Sequence, residues 1–441
     1  MFLARLPIQE QLGKPAERNN MPSTANNDIG SAGLASRSFI FYIEVLGMGQ
    51  CNLRCPSCPT GNFRDVNNPA GAMNPELLQQ IMAKAVSECV VACVCLFNWA
   101  EPLLHPKIGE LIRIVQQHGV PCHLSSNLND IRNLEAALEA NPTEFRVSLS
   151  GFTQETYGLT HRGGNVEIVK ENMNELARLV KKTKATTRIQ VLYHRYKNNL
   201  DDEVLMKAYA TKLGFTFLPA WALFMPIEKL LAYVENDASL ATITAEDYAT
   251  LDKLALPVRE ALAAVEPYRN SPCTLQQHQI TLDFRGNTML CCGIYDADKY
   301  AVGMFLETHL SDIQVRKESH SMCARCTRNG IHVYLTYSAA ELQAVALRTV
   351  FRRYSPFFVA IQSIWRKRPQ WALGKTSQCL TRISVRFSGP STPEMERLML
   401  ANTQTHVPSR LITQSSTVCG GGLEDDTKDR QWGKVKSLQV C

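Results

Sequence analysis

The first half of the chain alternates between two periodicities. Short runs rich in β-branched and aromatic residues predict strands at 39–46, 90–97, 120–125, 144–150, 187–193 and 215–219. Between them, apolar positions recur at helical spacing over 75–88, 106–118, 130–140, 165–183 and 201–213. Pro75 and Pro106 stand where a first helical turn tolerates proline. Strands alternating with helices predict a parallel sheet of α/β class. Right-handed crossovers would curl six such strands into an open barrel. Binding groups then belong at the C-terminal ends of the strands.

The pattern changes after the sixth strand. Apolar stretches such as Trp221–Glu235 predict a helical bridge over 221–270 that covers the barrel mouth. From Gln279 to Gly293, Ile280, Leu282 and Phe284 alternate with polar neighbours and Arg285-Gly286-Asn287 turns the chain, which predicts a β-hairpin. It falls in a small region at 271–335. Residues 1–37 are rich in Asn, Ser, Pro and Gly and are expected to be flexible. Residues 388–441 are rich in Ser, Thr and Gly and are expected to be disordered. The segment 336–387 reads as helical. Within it, 345–375 carries Arg348, Arg352, Arg353, Arg366, Lys367, Arg368 and Lys375 with no acid, interleaved with aromatics such as Phe351, Trp365 and Trp371. Three readings stay open: a helix packed on the barrel, a face for an anionic membrane surface, or nucleic acid, the least favoured of the three.

Composition narrows the class. The 441 residues are 45% hydrophobic and 20% charged, which excludes collagen, coiled coil and wholesale disorder. No run approaches the roughly 18 apolar residues of a membrane-spanning helix, and the N-terminus does not read as a signal peptide. The expected location is the cytoplasm. A net charge of +6 does not by itself argue for nucleic acid. Fifteen cysteines change the picture more. In a reducing compartment that many thiols point to metal rather than disulfides.

Their placement is uneven. Cys51, Cys55 and Cys58 form a knot just after the first strand. Three thiolates on one short loop can hold three corners of a [4Fe–4S] cube and leave one iron open for a chelating cofactor or substrate. A structural zinc site wants a fourth ligand, and no His or Cys follows nearby. Cys89, Cys93 and Cys95 lie in or beside an apolar strand and read, with Cys122, as small core hydrophobes. Cys273, Cys291, Cys323 and Cys326 surround the hairpin and can supply four corners of a second centre. Spacing alone leaves zinc and iron–sulfur open there. Cys292 is a spare ligand to Cys291. Cys379, Cys419 and Cys441 lie in the tail.

Cys-x3-Cys-x2-Cys after a first strand resembles the radical S-adenosylmethionine superfamily. The resemblance implies a partial (β/α)6 parallel barrel and a [4Fe–4S] cluster on Cys51, Cys55 and Cys58. The open iron would chelate S-adenosylmethionine, whose reductive cleavage yields a 5′-deoxyadenosyl radical that abstracts hydrogen from a C–H bond. An external donor such as flavodoxin or ferredoxin would supply the electron. Asn98-Trp99-Ala100-Glu101-Pro102 resembles the family's Gly-Gly-Glu-Pro element, with Glu101 as carboxylate for the methionine ammonium and Ala100 in place of a glycine. The family usually has a large or aromatic residue before the third cysteine; here it is Ser57. Ser125 and Asn127 would reach the methionine carboxylate or ribose, Ser148 and Ser150 the ribose, and Arg162 the cofactor carboxylate. Gln190 and His194 are candidates toward adenine or substrate. Tyr42 and Glu44 are possible substrate-side groups but read better as core.

The second cysteine group resembles the auxiliary-cluster region called twitch, a shortened SPASM domain. That implies a second [4Fe–4S] cluster, fully ligated by protein and able to accept an electron. The leading expectation is an oxidoreductase acting on a small sugar- or cyclitol-like substrate. Redox-neutral epimerisation, with Cys122 as hydrogen donor, or rearrangement, and peptide maturation are the enzyme alternatives. A zinc-binding interaction protein is the non-enzyme one. No single catalytic acid or base stands out.

Overall fold

The computed structural model describes residues 36–63, 66 and 68–354. The expected flexible N-terminal stretch up to 35, the basic aromatic segment beyond Tyr354 and the tail with Cys379, Cys419 and Cys441 lie outside the described residues.

Six parallel strands follow one another in chain order: β1 (Ser38–Ile43), β2 (Val90–Cys95), β3 (Cys122–Ser126), β4 (Glu144–Leu149), β5 (Arg188–Arg195) and β6 (Thr216–Trp221). Each pairs with the next, and helices fill the connections, so the chain forms an α/β open partial barrel. The helix Pro75–Glu88 shows why these elements form. Asn74 caps it by accepting the Glu76 amide at 3.1 Å, and Pro75 starts the first turn. Leu78, Ile81, Met82 and Ala85 recur every three or four residues and are wholly buried. In the helix Val166–Thr183, Val166, Val169, Met173 and Leu176 do the same. Each fully buried Leu, Ile, Val or Met side chain among them contributes about 1.5–3 kcal/mol. Cys89 ends the first of these helices rather than entering a strand; its thiol donates to the Ala85 carbonyl at 3.3 Å.

The other side of the sheet is polar. Tyr42, Cys95, His123 and Glu144 sit in register across β1 to β4. Glu144 is buried between two guanidiniums, Arg146 at 2.5 Å and Arg188 at 2.6 Å, and accepts from Gln190 at 2.7 Å. Burial alone would raise the Glu144 carboxyl, but the two arginines hold it below the usual carboxylate value.

The hairpin is present as β7 (Gln279–Leu282) and β8 (Asn287–Met289), antiparallel, with a further strand β9 (Ala301–Met304). The Asp283 carboxylate ties the turn by accepting the Arg285 and Asn287 amides, and Gly286 takes φ +86° there. β7 does not stand apart from the barrel. It pairs in parallel with β1, Tyr42 opposite Thr281, so one sheet of nine strands runs β6-β5-β4-β3-β2-β1-β7-β8-β9.

The bridge is three helices, Ile227–Glu235, Ala245–Lys253 and Val258–Ala264. The described start of the basic aromatic segment lies in the helix Ala340–Tyr354, where Leu342, Val345 and Ala346 are buried and Arg352 pairs with Glu260 at 3.6 Å. Among the described residues no helix is long and apolar enough to cross a membrane.

Candidate active site

A cavity of about 600 Å³ opens where β1 to β5 end. Cys51, Cys55 and Cys58 line it from the loop after β1. That loop is held by backbone and amide contacts. Gln50 accepts the Gly47 and Gly71 amides at 2.6 and 2.9 Å, and its carbonyl accepts the Glu101 amide at 3.1 Å. Cys58 donates its amide to the Cys55 carbonyl at 3.1 Å. A Cβ on Gly61 would meet the Cys55 carbonyl oxygen at 2.3 Å, so the loop closes only against a glycine. The Leu53 amide and the Asn127 side-chain amide donate to the Cys51 sulfur at 3.4 and 3.6 Å. Burial pushes the Cys51 thiol up to about 12 and the Cys55 and Cys58 thiols up as well. Thiolates would form there only with a cation to compensate the charge.

The loop after β2 forms the next wall. Glu44, at the end of β1, accepts the Trp99 amide at 2.6 Å and the Ala100 amide at 3.1 Å. Glu101 accepts the Asn127 amide at 2.8 Å and the Leu103 amide at 3.2 Å. Burial raises both carboxyls to about 7. Ala100, Glu101, Ser125, Asn127 and Ser148 all line the cavity. Two more polar groups on its wall, the Asn98 side-chain NH2 and the Ser125 hydroxyl, are buried without a partner. Buried polar groups are normally satisfied, so these two are suited to a polar ligand.

Ser150 and Arg162 are not among the lining residues. Ser150 is wholly buried, its hydroxyl 2.7 Å from the His161 Nδ1. Arg162 donates to the Arg54 carbonyl at 2.9 Å and the Gly61 carbonyl at 3.3 Å and pairs with Glu246. Its guanidinium therefore clasps the cysteine loop to the bridge. Gln190 is taken up by the Glu144–Arg146 cluster and is likewise outside the cavity lining. Cys122 is fully buried, in register with Val94, and does not line the cavity. The epimerisation reading thereby loses the hydrogen donor named for it.

Other lining residues were not singled out from the sequence: Trp99, Thr160, His161 and Tyr196. Trp99 lay inside a quoted motif, and its indole N–H donates to the Ile294 carbonyl at 2.9 Å. Tyr196 follows β5, and its hydroxyl lies 2.8 Å from that of Ser57. No local pattern announces this pair. His194, on β5, sits 3.0 Å from the Ser148 hydroxyl. Burial depresses the pKa of His161 to about 4 and that of His194 well below the usual value, so both rings are neutral.

A second cavity, of about 430 Å³, is lined by Cys273, Cys291, Cys323 and Cys326. Cys323 and Cys326 sit three residues apart on the helix Ser321–Arg328, which puts both sulfurs on one face. Cys292 is buried and outside the lining. Lys317 is buried near Cys273, Cys291 and Cys323, its ammonium donating to the Gln279 carbonyl at 2.6 Å. Among the described residues, neither group brings three ligand atoms within 4.8 Å of one another. A single ion needs neighbouring ligand atoms about 3.5–4 Å apart.

Residues 45–202 match the family model described as Radical SAM superfamily. No curated protein matches the chain. Among solved structures, Streptococcus suis SuiB bound to precursor peptide SuiA is 12% identical, with 73% of this chain and 76% of that one covered at a TM-score of 0.44. Native anSMEcpe with bound AdoMet and Cp18Cys peptide is 16% identical, covering 71% and 98%, TM-score 0.42. BtrN in complex with AdoMet and 2-DOIA is 16% identical, covering 68% and 90%, TM-score 0.37. The three-cysteine loop at the mouth of the parallel partial barrel lies within residues 45–202, the stretch that matches the Radical SAM superfamily model.

Proposed function

We propose that the chain is a radical S-adenosylmethionine oxidoreductase that removes hydrogen from a C–H bond of a small sugar- or cyclitol-like molecule, with a second cluster as electron acceptor. Cys51, Cys55 and Cys58 would hold the [4Fe–4S] cluster, and Cys273, Cys291, Cys323 and Cys326 the auxiliary one. With S-adenosylmethionine bound, the first cluster supplies one-electron cleavage to a 5′-deoxyadenosyl radical. The observation that carries the reading is two separate cavities, the first lined by three thiols and the second by four.

The chain's own residues divide the work. Glu101 presents a carboxylate for the methionine ammonium. Asn98 and Ser125 offer the unpartnered polar groups that a carboxylate or ribose needs. Glu44 fixes the Trp99 and Ala100 amides so that the loop keeps one shape. Tyr196 brings an aromatic ring to Ser57, where the family places a large side chain before the third cysteine. Ser148 and His194 face the remaining space, and the neutral ring can accept or donate a hydrogen bond to a substrate hydroxyl.

Anaerobic purification and iron counting test the clusters. Roughly eight irons per chain are expected, four for each cube. Changing Cys51, Cys55 and Cys58 together to Ala should leave about half. Incubation with a deuterium-labelled polyol substrate should move label into 5′-deoxyadenosine with one oxidised product per deoxyadenosine. Deoxyadenosine formed with a substrate isomer, or a colourless zinc protein, would refute the proposal.

A further inference from the structure

The barrel interior holds a third cluster of ligand-type side chains that the proposed reaction does not use. Cys93 and Cys95 lie two residues apart on β2, so the strand's alternation puts both thiols on one face. His123, on β3, is in register with Cys95. The two sulfurs and a ring nitrogen lie within 4.8 Å of one another, the only such set among the described residues. All three residues are more than nine-tenths buried. The thiols are free.

An ordinary packing role does not account for this group. Small hydrophobes would fill the space without an imidazole. Tyr42 lies beside them, in register with Cys95 on β1, and its hydroxyl is fully buried with no hydrogen-bond partner. An orphaned hydroxyl costs about 1–3 kcal/mol. A ligand at the cluster would give it a partner. The seam itself offers a second reason. β2 and β3 pair only at Val94–Cys122 and Cys95–His123, the shortest ladder between parallel strands of the barrel. A cross-link at that point would tie the seam together.

We infer that Cys93, Cys95 and His123 form a third metal centre, which takes one soft ion of the zinc type, with the Tyr42 hydroxyl facing the open position. Thiolate with imidazole selects zinc or copper(I) over magnesium and calcium. The ligand atoms need to close by at most about 1 Å to reach the spacing of about 3.5–4 Å set by zinc–sulfur and zinc–nitrogen bonds. Charge balances without a further counterion. Two thiol protons leave and one dication enters, so the interior keeps its net charge. Glu144, beside His123 in register, remains neutralised by Arg146 and Arg188. None of the three residues lines the cavity of Cys51, Cys55 and Cys58, so the centre is separate from that site.

The test uses the full chain with its iron reconstituted, titrated with Zn2+ and, separately, Co2+. One equivalent of zinc per chain should bind without loss of iron, raise the melting temperature and withstand dialysis. Cobalt should give a thiolate charge-transfer band. Cys93→Ala and His123→Gln should each abolish the extra equivalent while iron content stays at the wild-type level. No uptake by the wild-type protein overturns the inference, as does uptake only at the expense of iron, or uptake that survives both substitutions. Should both variants fail to fold, the wild-type cobalt spectrum decides: thiolate bands support the centre, and a spectrum of oxygen and nitrogen ligands alone overturns it.

Discussion

The Glu44 carboxylate accepts the Trp99 amide at 2.6 Å, across the gap between β1 and the loop that follows β2. With the Ala100 amide on its other oxygen at 3.1 Å, it fixes the backbone of the loop carrying Glu101. Replacing Glu44 by Ala leaves two buried amides without partners, at about 1–3 kcal/mol each. S-adenosylmethionine affinity should fall about tenfold or more, which corresponds to about 1.4 kcal/mol. Cluster iron should be retained, since Glu44 touches none of the three cysteines' hydrogen bonds. Equilibrium dialysis with iron counting reads both.

Glu101 gives a pH signature. Burial lifts its carboxyl to about 7, so the group is largely protonated below that pH in the free protein. A protonated carboxyl cannot pair with the methionine ammonium. Affinity for S-adenosylmethionine should therefore be full above pH 7 and weaken by up to about tenfold per unit as pH falls below it. Glu101→Gln should bind weakly and show a flatter profile, measured by calorimetry between pH 6 and 8. The sign for stability is the reverse. A carboxyl raised in the folded state favours folding below its unfolded value and loses that advantage as pH rises through 7.

Tyr196 should matter through its ring more than its hydroxyl. Tyr196→Phe loses the hydrogen bond to Ser57, worth about 1 kcal/mol, and should keep most S-adenosylmethionine binding. Tyr196→Ala removes the ring from the cavity wall and should raise the KM for S-adenosylmethionine severalfold with iron content unchanged. Equal effects of the two changes would show that the hydroxyl carries the contact.

Arg162 separates two roles for one residue. Guanidinium chemistry suggests a partner for the cofactor carboxylate, whereas in the fold Arg162 holds the Arg54 and Gly61 carbonyls and Glu246. Arg162→Ala should accelerate iron loss under a chelator while leaving S-adenosylmethionine affinity of the iron-replete protein near wild type. The opposite pattern would restore the carboxylate role.

These cases show where sequence reading reaches. The six barrel strands and the helix Pro75–Glu88 were legible because alternation and helical spacing are local properties. The hairpin was legible from Ile280, Leu282 and the Arg285-Gly286-Asn287 turn, but its pairing with β1 was not, since register across more than 200 residues leaves no local trace. The same holds for Ser57 and Tyr196, 139 positions apart. Gln190 looked like a ligand contact because it sits on a barrel strand. Its role emerged only with Glu144 and Arg146, whose charges demand a buried polar neighbour.

The parallel pairing of β7 with β1 has a bearing on where this chain can be cut. A protein ended at residue 270 would leave Ile40 to Ile43 with a row of free backbone donors and acceptors along one side. Those residues are among the most apolar in the chain, and an uncovered, hydrophobic edge strand recruits other chains. The cysteine-bearing hairpin thus also acts as the guard of the barrel's first strand, and the barrel is not expected to remain monomeric without it.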